Sequence, residues 1–189
     1  MKKLIVVLAL ATILATGTAF ADHPDGWGIG LITGFHGGWV GETAAGVPIG
    51  LSLKIPNIPV FWGLSFGFGS EFFDTRIMGD YYIFDSPLGE DLNLHWFLGV
   101  GGFFDIFRFS RSYFFLGKYS YTSVAFGARL PVGLSWQPKN FLELFLGITP
   151  GLGINIRGSG RVEKSGATFA VFWPIELGVR LWIPDKLSL

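Results

Sequence analysis

From Ile175 to Ile183 every second residue is a bulky aliphatic: Ile175, Leu177, Val179, Leu181 and Ile183. Glu176, Gly178, Arg180 and Trp182 sit between them. Strict alternation predicts a β-strand with two unlike faces. Seven further stretches share the pattern. "WGIGLITGFH" sets Trp27, Ile29, Leu31, Thr33 and Phe35 against Gly28, Gly30, Ile32, Gly34 and His36. "VPIGLSLKI" sets Val47, Ile49, Leu51, Leu53 and Ile55 against Pro48, Gly50, Ser52 and Lys54. "VFWGLSFGFG" has Val60, Trp62, Leu64, Phe66 and Phe68 on its apolar face. The fourth stretch, near "IMGDYYIF", is the weakest, with Ile77, Gly79, Tyr81 and Ile83. "NLHWFLGVGGFF", "SVAFGARLPVGLSW" and "LELFLGITPGLGIN" supply the fifth to seventh, and the run from Ile175 is part of the eighth.

The connectors alternate in length. "PNIP", "DSPLGEDL" and "QPKNF" are shorter. "GGWVGETAAG", "SEFFDTR", "DIFRFSRSYFFLGKYSYT" and "RGSGRVEKSGAT" tend to be longer. Short turns at one end and long loops at the other are the habit of outer-membrane barrels, with the turns periplasmic.

Composition decides what the apolar faces meet. Charged residues are only 15% of the chain, against about 25% in an ordinary soluble domain. Aromatics reach 17%, and there are 28 glycines. So few charges cannot cover a water-soluble surface. Past the first residues no long unbroken apolar run offers a spanning helix, which leaves a closed barrel as the way across a bilayer. The first 21 residues read as a cleaved signal peptide: Lys2 and Lys3, an apolar stretch from Leu4 to Ala15, then Ala19-Phe20-Ala21 before Asp22. A membrane-anchoring helix is the alternative there, but the stretch is short. There is no cysteine, so disulfides, thiol chemistry and cysteine zinc sites are excluded. Basic and acidic residues number 14 each; without Lys2 and Lys3 a small acidic excess remains. Nothing pulls the chain toward nucleic acid. The expected fold class is all-β: an eight-stranded antiparallel transmembrane up-and-down barrel over residues 22–189.

The second face is dominated by glycine, which weakens a strand and needs a reason. A narrow barrel supplies one, because opposite walls crowd its interior. Phe61, Phe97, Phe145 and Trp182 are expected to fill the space that glycines leave. Lys54, Asp80, Arg129, Glu143, Glu176 and Arg180 share the inner parity. Buried charges must pair, so these form either a plug of salt bridges or the lining of a polar passage. Trp27, Trp62, Trp96 and Trp136 have outward parity and fall at periplasmic strand ends, as an aromatic girdle would.

In this pattern the chain resembles small eight-stranded outer-membrane barrels of the OmpA, OmpX and OmpW kind. "DHPDGWGIG", "GLSLKIPNIPVFWGLSFG" and "FGARLPVGLSWQP" further resemble an uncharacterised family of spirochaetal outer-membrane barrels. Glu176, Gly178, Leu181 and Ile183 resemble the last-strand signal read by the barrel-assembly machinery. The chain departs from that signal by continuing from Pro184 to Leu189.

Candidate chemistry is sparse. His23, His36 and His95 are expected apart, so no metal site and no cofactor is expected. Some small barrels are lipid A acyltransferases or deacylases, and His36 with Ser70 or Glu71 approaches the level such an enzyme would use; nothing in the spacing demands it, and the chain is read as a non-enzyme. The third and fourth outer loops carry Arg108, Arg111, Lys118, Arg157, Arg161 and Lys164, the third among many aromatics. They suit anionic lipid headgroups, host glycans or host proteins, or are simply solvated. The inner turns are acidic: Asp85, Glu90 and Asp91. Pro131, Pro150 and Pro174 fall inside strands six, seven and eight, where they mark bulges or, by analogy with OmpW-like barrels, a lateral exit. The expected partners are outer-membrane lipid, the assembly machinery and a host or envelope ligand at the loops, for a monomeric barrel. Two functions stay open: a narrow channel for small or hydrophobic molecules, and a surface-exposed barrel binding ligands through its loops. A purely structural envelope role shadows both.

Overall fold

A computed structural model describes residues 20–21, 26–35, 38–40, 47–89, 92–113, 117–158 and 166–184. Eight strand positions form a closed antiparallel ring. Strand one is Gly26–Phe35, strand two Ile49–Lys54, strand three Phe61–Phe68, strand four Phe72–Pro87 and strand five Leu94–Tyr113. Strands six, seven and eight each come in two pieces: Gly117–Arg129 with Val132–Lys139, Leu142–Ile148 with Gly151–Arg157, and Gly166–Phe172 with Ile175–Pro184. Sequence neighbours pair throughout, and Ile175–Pro184 closes the ring on strand one, from Ile175 opposite Phe35 to Pro184 opposite Gly26. Gly38–Val40 extends that seam against Val171 and Phe172. The short piece Phe20–Ala21 lies parallel to Phe84–Asp85.

The three broken strands break side by side, at Leu130-Pro131, Thr149-Pro150 and Trp173-Pro174. Proline lacks the N–H that a ladder needs. Pairing nonetheless resumes in the same register: Leu98 faces Val132 below the first break, and Gly101 faces Arg129 above it. The expected bulges are therefore not at the prolines. Each proline carbonyl also keeps its partner. It accepts a hydrogen bond from Gly99 N–H onto Pro131 (2.8 Å), from Leu130 N–H onto Pro150 (2.8 Å) and from Thr149 N–H onto Pro174 (2.9 Å).

The outer ends differ from the expected long loops. "SEFFDTR" is mostly strand: Phe72–Arg76 opens strand four, opposite Phe109–Asp105. "DIFRFSRSYFFLGKYSYT" is a tall hairpin, with strand five running to Tyr113 and strand six resuming at Gly117. Alternating aromatic and charged residues there continue the two-residue period, so the height lies in paired strand. A bulge falls at Ile83, between Tyr82 facing Gly99 and Phe84 facing Leu98. An extra residue flips parity. It turns Asp85 inward, where it is buried, and not into an acidic turn. Glu90 and Asp91 lie outside the described residues.

The burial pattern is inverted relative to a soluble protein. Leu31, Leu51, Leu146, Leu152 and Leu181 are each more than half exposed, while Arg129, Glu143 and Arg180 are at most 3% exposed. Inside, Ile32, Phe61, Tyr82, Phe97, Phe145 and Trp182 pack as one cluster. Met78, Phe103 and Phe172 form a second. Phe61 stacks on Tyr82 at 4.4 Å, and Tyr82 on Phe97 at 4.6 Å. Gly133 and Gly147 make room for the Phe97 ring: a Cβ on either would stand 2.6 or 3.2 Å from its Cζ.

Candidate functional site

The lumen holds a network built from five of the six predicted inner charges. Arg129 donates to Glu176 through two nitrogens, at 3.0 and 2.6 Å. Its Nε lies 2.9 Å from Asp80 Oδ1, an ion contact whose angle falls outside a hydrogen bond. Arg180 donates to Glu143 at 2.9 Å and to Ser52 Oγ at 2.8 Å. Glu143 also accepts from Ser135 and from the Trp182 indole, both at 2.9 Å. The Arg180 guanidinium sits between two rings, 4.0 Å from the centre of Phe145 and 4.5 Å from that of Phe61. Cation–π contacts of this kind hold a guanidinium in a dry site.

Register explains how these groups meet. Glu143 and Arg180 are direct cross-strand partners. Asp80 and Arg129 stand two strands apart, with Gly101 between them in the same row. Arg180 reaches Ser52 across Gly30 in the same way. A side chain on either glycine would fill the gap that the bridge crosses. The glycine-rich face is thus a set of windows through which charges on second-neighbour strands pair. Lys54, the sixth predicted charge, is half-buried near the inner end; its ammonium donates to the Ile55 carbonyl at 3.0 Å and lies 5.8 Å from the Phe61 ring centre.

Sequence reasoning missed a second polar level toward the outer end. Arg76 donates to Asp105 Oδ2 from Nε at 3.2 Å and from Nη2 at 2.6 Å. Its guanidinium lies about 6 Å from the rings of Phe103 and Phe172. Asp74 and Asn155 line the same space. Above them Phe72, Phe107, Tyr121 and Phe109 follow one another at centroid distances of 6.0, 6.0 and 5.4 Å. At the inner end His95 Nδ1 lies 3.2 Å from Asp85 Oδ1. The missed charges fell in stretches read as connectors, and the bulge hid Asp85.

The lumen is filled. The void bounded by Asp80, Glu176, Arg180 and the Phe61–Tyr82–Phe97 stack offers ≈ 20 Å³ to water centres, and the void around Asp74 and Asp105 offers the same. Each holds about one water.

The other predicted residues disperse. Arg108 is exposed on the hairpin, and the Arg157 guanidinium lies 4.8 Å from the Tyr121 ring centre. Arg111 and Lys118 are in paired strand rather than in a loop; Arg161 and Lys164 lie outside the described residues, as do His23 and His36. The Glu71 carbonyl accepts from Ser110 N–H at 2.6 Å, a backbone role. Trp27, Trp96 and Trp136 fall near strand ends, opposite Ile183, Ser86 and Leu94. Trp62 is the second residue of strand three and lies opposite Gly79 of strand four, its ring over that glycine. In the last strand Glu176 points inward, Gly178 lies under the Phe145 ring, and Leu181 and Ile183 point outward.

A family model described as "Protein of unknown function (DUF3996)" matches residues 39–178. No curated protein matches the chain. Among solved structures, a major outer membrane protein from Thermus thermophilus is similar at a TM-score of 0.51 and 12% identity, covering 85% of this chain and 100% of that one. The N-terminal β-barrel domain of Pseudomonas aeruginosa OprF gives 0.48 and 13%, covering 82% and 96%. Neisserial surface protein A gives 0.44 and 12%, covering 83% and 96%.

Proposed function

The chain belongs to that family, described as of unknown function, and on this premise we propose that it is an integral outer-membrane barrel with a closed lumen, acting at its extracellular end. One observation carries the reading: an ion-paired, ring-packed interior inside a wall whose outer face is apolar. Such a wall belongs in lipid. Such an interior favours a surface-acting barrel over a narrow channel. Residues 1–21 direct export and are removed, and the last strand, through Glu176, Gly178, Leu181 and Ile183, is read by the assembly machinery. The barrel works as a monomer and without chemistry of its own. The hairpin of strands five and six, whose sequence carries Arg108, Arg111 and Lys118, is with Arg157 beside it the meeting place for an anionic glycan or headgroup. The proline steps also speak against a lateral exit, since their carbonyl bonds bridge the wall.

Planar-bilayer recording tests the closed lumen. The purified barrel is expected to give no steady conductance, and regular channel steps would overturn the reading. Heparin serves as an anionic probe of the rim. Its retention of the vesicle-embedded barrel is expected to fall on exchanging Arg108 and Arg157 for alanine; retention unchanged would remove the basis for a cationic binding end.

A further inference from the structure

Among the described residues the lumen carries more buried acid than base. Asp74, Asp80, Asp85, Asp105, Glu143 and Glu176 face inward with Arg76, Arg129, Arg180 and His95. The excess is sharpest at the outer level. There Arg76 saturates one oxygen of Asp105, Oδ2. Asp105 Oδ1, Asp74 Oδ1 and Asn155 Oδ1 are all buried and accept no hydrogen bond from the described residues. All three residues line one void, and they are 7%, 3% and 4% exposed. The Asp74 carboxyl lies against that of Asp105, within hydrogen-bonding reach of it. Two carboxyl groups and an amide carbonyl that turn such oxygens on one dry space call either for a proton shared between the acids or for a positive occupant. Arg76 is engaged with Asp105 Oδ2, with Phe103 and Phe172 about 6 Å from its guanidinium.

We propose that Asp74, Asp105 and Asn155 bind one hard metal cation of the sodium, magnesium or calcium class inside the outer half of the barrel. Carboxylate and amide oxygens are the donors such ions prefer, with water completing the shell. The void has room for an ion or a water and for nothing larger. The set contains two carboxylates and not three or more His, Asp or Glu side chains, so the amide supplies the third donor. The ion neutralises the acid that Arg76 leaves over and ties strands four, five and seven together beneath the aromatic rim.

The test uses the full barrel refolded into neutral lipid vesicles and stripped with a chelator in a sodium-free buffer. Urea unfolding is followed with added NaCl, MgCl₂ or CaCl₂, and calcium uptake is measured by equilibrium dialysis. At least one cation is expected to raise the unfolding midpoint. The D74N and N155L variants are expected to weaken that response at least about tenfold in cation concentration, while D80N, in the inner network, keeps it. N155D adds a third carboxylate and is expected to tighten calcium uptake. A wild-type barrel indifferent to all three cations, with D74N at least as stable, would mean that the two aspartates share a proton, and would overturn the proposal. So would N155D that loses stability and takes up no calcium, the outcome if the amide donates to the carboxylates instead. A response equal in wild type and D74N would place the ion elsewhere and equally overturn it.

Discussion

Replacing Arg129 with methionine is the severest single perturbation the inner network offers. The guanidinium is 2% exposed and touches both carboxylates within 3.0 Å. Methionine keeps most of the volume and removes the charge. Asp80 and Glu176 are then left without the guanidinium that joined them, and Arg180 is engaged by Glu143 and Ser52. Removing one partner of a buried pair costs about 3–5 kcal/mol, because the remaining charge is stranded. The expected loss lies in that range. The combined variant R129M/D80N/E176Q strands nothing, and replacing a whole buried pair is often neutral or better. It is therefore expected to unfold within about 1 kcal/mol of the parent or above it. Both are measured by urea unfolding in lipid vesicles, through tryptophan fluorescence and the mobility shift between folded and unfolded barrel on gels. R129M within about 1 kcal/mol of the parent would refute the view that these charges form a dry network, as would a combined variant no better than R129M.

Further expectations follow from the wall. Gly133→Val places its Cβ 2.6 Å from the Phe97 ring and 2.7 Å from Gly147 Cα, and overpacking of that kind costs about 1–3 kcal/mol, read in the same unfolding assay. Leu51→Arg puts a charge on the outer face between Leu31 and Leu64; a lipid-facing arginine costs about 2–4 kcal/mol near the midplane, and an unchanged stability in vesicles would mean the face does not meet lipid. Pro150→Ala leaves the carbonyl bond from Leu130 in place, so solute uptake into loaded vesicles is expected not to change; a marked change would revive a gate at the proline steps.

The eight strands were legible because a period of two survives along most of the wall, and because a narrow lumen imposes glycine on one face. The large inner residues Phe61, Phe97, Phe145 and Trp182 follow from that parity alone. The outer level was not read, although its signal is present: Asp74 and Arg76 alternate with Phe73, Thr75 and Ile77, and Asp105 with Phe104 and Ile106. Charges among aromatics look like a loop when parity is not carried forward. Asp85 could not have been placed, since nothing in "DYYIFD" announces the bulge at Ile83. Which charge meets which was equally hidden. Arg129 finds Asp80 through strand register and through the absence of a side chain at Gly101, and both belong to the assembled wall.

The unequal strands have a consequence for the surrounding lipid. Strand two spans 6 residues and strand three 8, while strand four spans 16 and strand five 20. A tilted strand needs about 9–11 residues to cross a hydrocarbon core. The molecule thus offers a low wall on one side and a tall one a quarter-turn away. A bilayer wrapped around it has to thin beside strands two and three and recover its full thickness beside strands four and five, at a cost of fractions of a kcal/mol for each ångström of mismatch. Shorter acyl chains are expected to collect where the wall is low, so that a single barrel would sort lipid around its own circumference.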